Sequence, residues 1–308
     1  MRLLIYGAGV IGTLYARLFF EAGYDTTIYA RGKRLDSLLQ NGLRYRKGNT
    51  ILKANINIIG KLDDNDFYDF IFLAVRENQL HVALKELKNN HSPTIVTMVN
   101  SLEEYEIWEN ICGKGRILPA FPGAGGSFDD DILVASLTPR IIQPTTFSEI
   151  DGRISRRTDQ LAAMLKRAKI PYQMVNDMHA WQLCHLAMVV PIADAYYEAD
   201  CPEKVGLERQ IMLKTARRIK RNLWVIRKGG VKLLPMKMNL FLYVPVSILS
   251  MGLCATFLSN FGNTFMYRHS MKAPDEMRRL HRQFYSYIKD YFINVFVIRE
   301  VWRKIHKK

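Results

Sequence analysis

The feature that most constrains this chain comes at its start. The apolar run Leu3-Leu4-Ile5-Tyr6 breaks into Gly7-Ala8-Gly9-Val10-Ile11-Gly12 and continues as a helical pattern. Three glycines at GxGxxG spacing between a strand and a helix have distinct physical tasks. Gly7 makes the tight turn, Gly9 lets backbone approach a pyrophosphate, and Gly12 lets the helix pack on the strand. The amides at the helix start then face the phosphates. A GxGxxG alone is weak, but strand–turn–helix context and a second strand at the expected distance strengthen it. Residues Gly7, Ala8, Gly9, Val10, Ile11 and Gly12 are therefore predicted to bind a dinucleotide.

The second strand bears on which dinucleotide. An NAD site ends this strand with a carboxylate for the ribose 2′-hydroxyl, where a 2′-phosphate would be repelled. Here the strand runs out as Ile28-Tyr29-Ala30-Arg31-Gly32-Lys33-Arg34, with no carboxylate and three cations. Guanidinium suits phosphate geometry. The expected cofactor is NADP, held in part by Arg31; a solvated basic turn is the competing reading.

Along the first half, strand-like runs at 2–6, 26–29, 70–74, 94–99 and 116–121 alternate with helical patterns near 11–24, 33–41, 78–89 and 103–112. Such alternation implies a parallel sheet with right-handed crossovers. A hairpin turning at Lys47-Gly48-Asn49 fits 43–60, and a β stretch is expected over 132–144. Polar residues 145–157 read as a loop, a helix to about 168 follows, and then a short strand at 171–175. Beyond 177 the periodicity is helical, with breaks at Cys201-Pro202, Gly229-Gly230 and Ala273-Pro274. The predicted architecture is an α/β Rossmann-type doubly wound sheet domain over 1–176, followed by an all-α helical domain over 177–308.

Charge divides the chain unevenly. Residues 1–150 carry a net charge of −1 and the remainder +16. Such asymmetry marks a polyanion surface, solvated helix faces, or attraction of an anionic substrate and cofactor. No zinc-ligand spacing or aromatic RNA-binding motif accompanies it, so no nucleic-acid partner is expected. Four dispersed cysteines suggest reduced thiols and no metal site. The opening apolar run is too short for a signal sequence, so the expected location is cytoplasmic.

These motifs resemble the ketopantoate reductase (2-dehydropantoate 2-reductase) family. The resemblance rests on Gly7, Gly9 and Gly12, on Arg31, on Ala74-Val75-Arg76 after a central strand (arginine standing where members carry lysine), and on Asn100 after the next strand. Gly123-Ala124-Gly125-Gly126 occupies the place of a family loop near the nicotinamide half. Val75, Arg76, Asn100 and Gly125 thereby join the candidate cofactor-binding residues. Capping of a helix at Glu103 is the structural rival for Asn100. The resemblance implies reduction of a small keto acid or related carbonyl compound with hydride from NADPH.

It also implies a lysine general acid two residues after Trp181, asparagines one and two turns further on, and a glutamate on a later helix. Leu183, Ala187, Pro191 and Cys254 stand at those positions. None can donate or hold charge as the family residue does, and losing a proton donor typically costs ~10²–10⁴ in rate. His185 is the candidate replacement. It lies two positions from Leu183, however, which on a helix is a rotation of roughly 200°, and a structural role competes; Asp194 and Asn260 are weaker candidates. Two functions follow: an NADP-dependent oxidoreductase with an unassigned small-molecule substrate, or a catalytically silent NADP-binding sensor or scaffold.

Between Lys237 and Arg268 no residue is charged. Leu240–Leu258 is long enough to cross a bilayer, but Pro245, Ser247, Ser250 and Gly252 dilute it. The expectation is a buried central helix and no membrane span. Association with an anionic lipid surface through the basic clusters Arg217-Arg218-Ile219-Lys220-Arg221 and Arg227-Lys228 is a lesser alternative. A helical stripe through Met277, Leu280, Phe284, Tyr287, Tyr291, Val295, Ile298, Trp302 and Ile305 is expected to pack on its own domain, homodimerisation through it being the alternative.

Overall fold

The computed structural model describes residues 1–305, with side chains through Lys289 apart from His269. The chain folds as two compact units, Met1–Met178 and from His179 onward.

In the first unit the elements run β1 (Arg2–Tyr6), α1 (Val10–Glu21), β2 (Asp25–Tyr29), α2 (Gly32–Asn41), β3 (Leu43–Lys47), β4 (Thr50–Ala54), β5 (Asn57–Ile59) and β6 (Phe70–Leu73). They continue through α3 (Leu80–Glu86), β7 (Ile95–Thr97), α4 (Tyr105–Cys112), β8 (Ile117–Phe121), β9 (Ala124–Asp129), β10 (Ile132–Leu137), β11 (Thr145–Phe147), α5 (Arg156–Arg167) and β12 (Tyr172–Met174). The main sheet has the order β12-β11-β8-β7-β6-β1-β2-β5. From β5 to β8 every pairing is parallel. Within this parallel part the order is third-second-first-fourth-fifth-sixth, the doubly wound arrangement whose direction reverses between β1 and β6. A ligand crevice opens at the carboxyl ends of the strands at such a switch point.

The parallel strands are buried on both faces. Leu3, Leu4 and Ile5 of β1 and Ile71 and Leu73 of β6 are fully buried, as near-continuous apolar runs require. Helix α1 packs Leu14, Tyr15, Ala16 and Phe19 into the same core, and each large side chain so buried contributes ~1.5–3 kcal/mol.

A second sheet, ordered β4-β3-β10-β9, arises from the predicted hairpin, with Lys47 opposite Thr50, joined by β10 and β9. Its Tyr45, Ala54 and Leu133 share the core cluster of α1. Three expectations are corrected here. Residues 124–126 are strand β9, not a loop: Gly125 pairs with Ser136. A Cβ at Gly126 would lie 2.4 Å from the Val134 carbonyl, so a glycine permits the pairing. The β stretch over 132–144 ends at Leu137 and becomes a turn closed by the Ile142 amide on the Pro139 carbonyl. Residues 145–147, expected as loop, are β11, antiparallel to β8. Threonine polarity concealed this strand; Thr145 is buried because its hydroxyl bonds Tyr15 Oη at 2.5 Å.

The second unit contains α6 (Met178–Glu198, whose first residue belongs to the first unit), α7 (Arg209–Lys228), α8 (Leu240–Tyr243), α9 (Val246–Phe257), α10 (Arg268–Lys272) and α11 (Pro274–Ile305). Met277, Leu280 and Phe284 of the C-terminal stripe are buried; Tyr291, Val295, Ile298, Trp302 and Ile305 lie outside the residues with described side chains.

No helix among the described residues is long and apolar enough to cross a membrane. The expected burial of the uncharged run is only partly met. Leu249, Leu253 and Phe257 of α9 are buried, whereas Leu240, Tyr243, Ile248, Met251 and Leu258 are exposed. The run divides at Pro245, and in α9 the buried residues Leu249, Ser250, Leu253 and Phe257 lie along one stripe, the helix packing on α7.

The tightest constraint in the first unit is at Gly12, where a Cβ would lie 1.9 Å from the Gly7 carbonyl oxygen. Gly12→Ala is expected to cost about 1–3 kcal/mol, as overpacking does, read as a lower urea midpoint at unchanged slope.

Candidate nucleotide-binding site

The glycine loop sits where the sheet reverses direction. Gly7 follows β1 with φ +111°, and its missing side chain admits the end of β6: a Cβ would lie 2.5 Å from the Ala74 carbonyl oxygen and 3.2 Å from Val75 Cγ1. The loop is then pinned from several sides. The Gly7 amide donates to the Tyr29 carbonyl (3.2 Å). The Ala8 carbonyl accepts from Thr13 Oγ1 (3.1 Å) and from Arg34 Nε (3.2 Å).

Gly9 differs from its two neighbours. Its φ of −70° suits any residue, and a Cβ there would meet nothing within 4 Å. The fold itself therefore does not require glycine, and the space in front of the backbone is open. The first helical hydrogen bond runs from the Thr13 amide to the Gly9 carbonyl (2.8 Å). The amides of Val10, Ile11 and Gly12 consequently have no acceptor within the helix. No side chain caps this end, and no acidic residue occupies its first turn.

At the end of β2 the structure adds groups that sequence reasoning missed. Tyr6 and Tyr29, register partners closing β1 and β2, stack with ring centroids 4.4 Å apart. Arg31 lies over both rings and donates from Nε to Tyr29 Oη at 2.6 Å. It also pairs with Glu86 at the end of α3, and Tyr6 Oη donates to the same carboxylate. Burial, reinforced by that hydrogen bond, pushes the Tyr6 phenol well above its usual range, so it stays a donor. The carboxylate absent from β2 is thus supplied through space. Two strands both ending in tyrosine were a readable signal; Glu86, 55 residues from Arg31, gave none. Of the other two cations, Arg34 stacks on Phe128 and Lys33 is exposed.

Val75 and Arg76 follow β6. Val75 abuts the glycine loop, while the exposed Arg76 guanidinium has no partner among the described residues. Asn100 lies just past β7, on the strand next to β6. It does not cap a helix at Glu103. That amide is bonded by Ser101 Oγ (3.1 Å), and α4 begins only at Tyr105. Instead Asn100 Oδ1 is buried without a hydrogen-bond partner. Such a group costs about 1–3 kcal/mol, which a donor from a bound ligand would recover. Gly125 lies in β9 of the second sheet, opposite Ser136.

The second unit holds the remaining candidates. His185 stacks on Trp181 with ring centroids 5.2 Å apart and planes 8° from parallel. Leu183, Ala187 and Pro191 form a buried apolar stripe along α6. Asp194 lines a cavity of about 270 Å³ together with Arg221 and Tyr285, and there it meets His281 Nδ1 at 3.0 Å and Arg218 Nη1 at 3.5 Å. Cys254 is partly buried, and Asn260 is exposed.

Fold and loop together define a two-unit protein with a Rossmann-type nucleotide-binding sheet. Residues 3–137, somewhat less than half of the chain, match the family described as Ketopantoate reductase PanE/ApbA, and over that span the chain is similar to this family. It is 28% identical over 177 residues to the 2-dehydropantoate 2-reductase of Archaeoglobus fulgidus, a match covering 58% of this chain and 57% of that one. The match thus spans little more than half the length of that relative. The fold is similar to that of the 2-dehydropantoate 2-reductase from Methylococcus capsulatus (14% identity, TM-score 0.61, 97% of each chain). It is also similar to D-mandelate dehydrogenase in complex with NADH (12% identity, TM-score 0.64, 98% of this chain and 99% of that one).

Gly9 offers a clean separation of fold from binding. Gly9→Ala is expected to leave stability unchanged or higher by up to about 1 kcal/mol, while weakening dinucleotide binding at least tenfold in a fluorescence titration.

Proposed function

We propose that this chain is an NADP-dependent oxidoreductase of the ketopantoate-reductase type that acts on a small keto acid or related carbonyl compound in the cytoplasm. The reading rests above all on Gly9, whose missing side chain serves no packing need and clears the amides of Val10, Ile11 and Gly12. Those amides would hold the pyrophosphate, with Ala8 and Gly7 shaping the turn. Arg31 would meet the 2′-phosphate, and Val75, Arg76 and Asn100 would border the cofactor's path along the strand ends. Residues 1–176 would thus serve as the cofactor domain and 177–308 as the substrate domain. Bound NADPH would supply the hydride.

Arg31 can serve a 2′-phosphate only by sharing or leaving its pair with Glu86. This pair is half exposed, so water screens it and the rearrangement is inexpensive. NADPH is expected to bind more tightly than NADH. Arg31→Ala should lower NADPH affinity about ten- to a hundredfold, as loss of a charged hydrogen bond does. Glu86→Gln should widen the preference for NADPH by removing a negative charge near the phosphate. Equal affinities for the two cofactors in the wild type would overturn the assignment.

A second reading, a catalytically silent NADP-binding protein, is favoured by one observation. Leu183, Ala187 and Pro191 are buried apolar groups where the family resemblance places a proton donor and two asparagines. Ketopantoate is accordingly expected to turn over below the ordinary range of ~1–10³ s⁻¹. Steady-state NADPH oxidation across a panel of 2-keto acids separates the two readings. Turnover of any member supports the enzyme, and binding of NADPH without turnover of any supports the silent protein. His185 is the candidate acid, and His185→Gln with NADPH bound should abolish turnover only if its ring reaches the carbonyl.

A further inference from the structure

From Arg209 to Pro274 the chain carries 12 lysines and arginines and not one aspartate or glutamate. Within this stretch α7 divides cleanly by face. Met212, Ala216, Ile219, Leu223 and Ile226 are buried, while Arg217, Arg221, Trp224 and Lys228, spaced by four, three and four residues, form one exposed stripe. The tryptophan is 52% exposed, and Lys228 Nζ lies 5.7 Å from its ring centroid.

A second exposed segment is fastened alongside. Lys220 Nζ donates to the carbonyls of Phe241 (3.0 Å), Leu242 (2.9 Å) and Val244 (2.5 Å), clamping α8 to α7. Arg227 Nη1 donates to Tyr243 Oη at 3.2 Å. Held in this way, Met236, Leu240 and Tyr243 are 75%, 65% and 72% exposed, and Lys232 stands beside them in sequence, also exposed. The second unit therefore presents tryptophan, tyrosine, leucine and methionine side chains among cations, on a helix and a turn fixed to each other.

We propose that this face docks on an anionic phospholipid bilayer surface. Charge complementarity selects that occupant. A second copy of the face would set cations against cations, with no acidic residue in the stretch to answer them. A nucleic acid would neutralise the cations and leave Met236 and Leu240 without an apolar counterpart. An anionic bilayer meets both demands. Lipid phosphates pair with Arg217, Arg221 and Lys228, the interfacial layer accommodates Trp224 and Tyr243, and the acyl boundary receives Leu240 and Met236. Docking is peripheral, since no described helix can span.

Flotation of the full chain with phosphatidylcholine vesicles, with and without phosphatidylglycerol, tests this. Retention is expected only on the anionic vesicles and should fall as salt rises. Arg217→Gln and Lys228→Gln should each lower partitioning about fivefold, the equivalent of about 1 kcal/mol per cation near the surface. Brominated acyl chains should quench the emission of the wild type more than that of Trp224→Phe, which keeps an aromatic ring in place. Circular dichroism confirms that each variant is folded. Equal retention on neutral vesicles, no retention on either, or quenching identical in wild type and Trp224→Phe would overturn the proposal. So would tighter retention on duplex DNA than on anionic vesicles, or a dimer in solution that Leu240→Glu dissociates.

Discussion

The nucleotide-binding unit depends on one close approach, the passage of the β6 end over Gly7. The Ala74 carbonyl occupies the space a side chain at Gly7 would need, and the φ of +111° there is one that other residues rarely adopt. That crossing is where the sheet reverses direction, so the same constraint that lets β1 lie between β2 and β6 also creates the crevice. Gly12, more crowded still, then presses α1 against the turn, and the helix start is aimed at the open space over Gly9. Two of the glycines are required by packing, and the third fronts open space.

The two units handle charge in opposite ways. In the first, several arginines are answered across the fold: Arg31 by Glu86, Arg44 by Asp131, and Arg157 by Glu149. The last pair is the most buried of the three. Burial alone would raise the Glu149 carboxyl, but the hydrogen bonds from Arg157 and Ser155 hold it below the usual carboxylate range. Its contribution is therefore present above the unfolded pKa and lost as pH falls through the folded value. In the second unit, Lys214 and Arg218 find Glu198, but among the described residues no ion pair is formed by Arg217, Arg221 or Lys228, and residues 209–274 contain no acidic residue. The net charge of +15 thus arises beyond residue 208, not from a uniformly basic protein.

Much of the fold was legible because its signals are local. Apolar runs marked β1, β6 and β8, glycine spacing marked the loop after β1, and Lys47-Gly48-Asn49 marked the hairpin. The errors share a cause. β11 reads as polar because its threonines are satisfied by partners far along the chain, Thr145 by Tyr15 and Thr146 by Gln173. β9 reads as a glycine loop because the residue type that permits a tight strand pairing also breaks strands. The uncharged run reads as a core helix because apolar character around a whole helix normally signals burial, and here burial stops at one stripe.

The sequence by itself determined the class of fold and the position of the glycine loop, since each depends on residue type at a fixed short spacing. Only the tertiary structure decided that Arg31 is held by Glu86 and two stacked tyrosines, that Asn100 is an orphaned acceptor rather than a helix cap, and that Trp224 and Tyr243 face solvent among cations. Those facts depend on which residues distant in sequence come within hydrogen-bonding or van der Waals reach. That is fixed by strand order and helix packing and leaves no trace in local pattern.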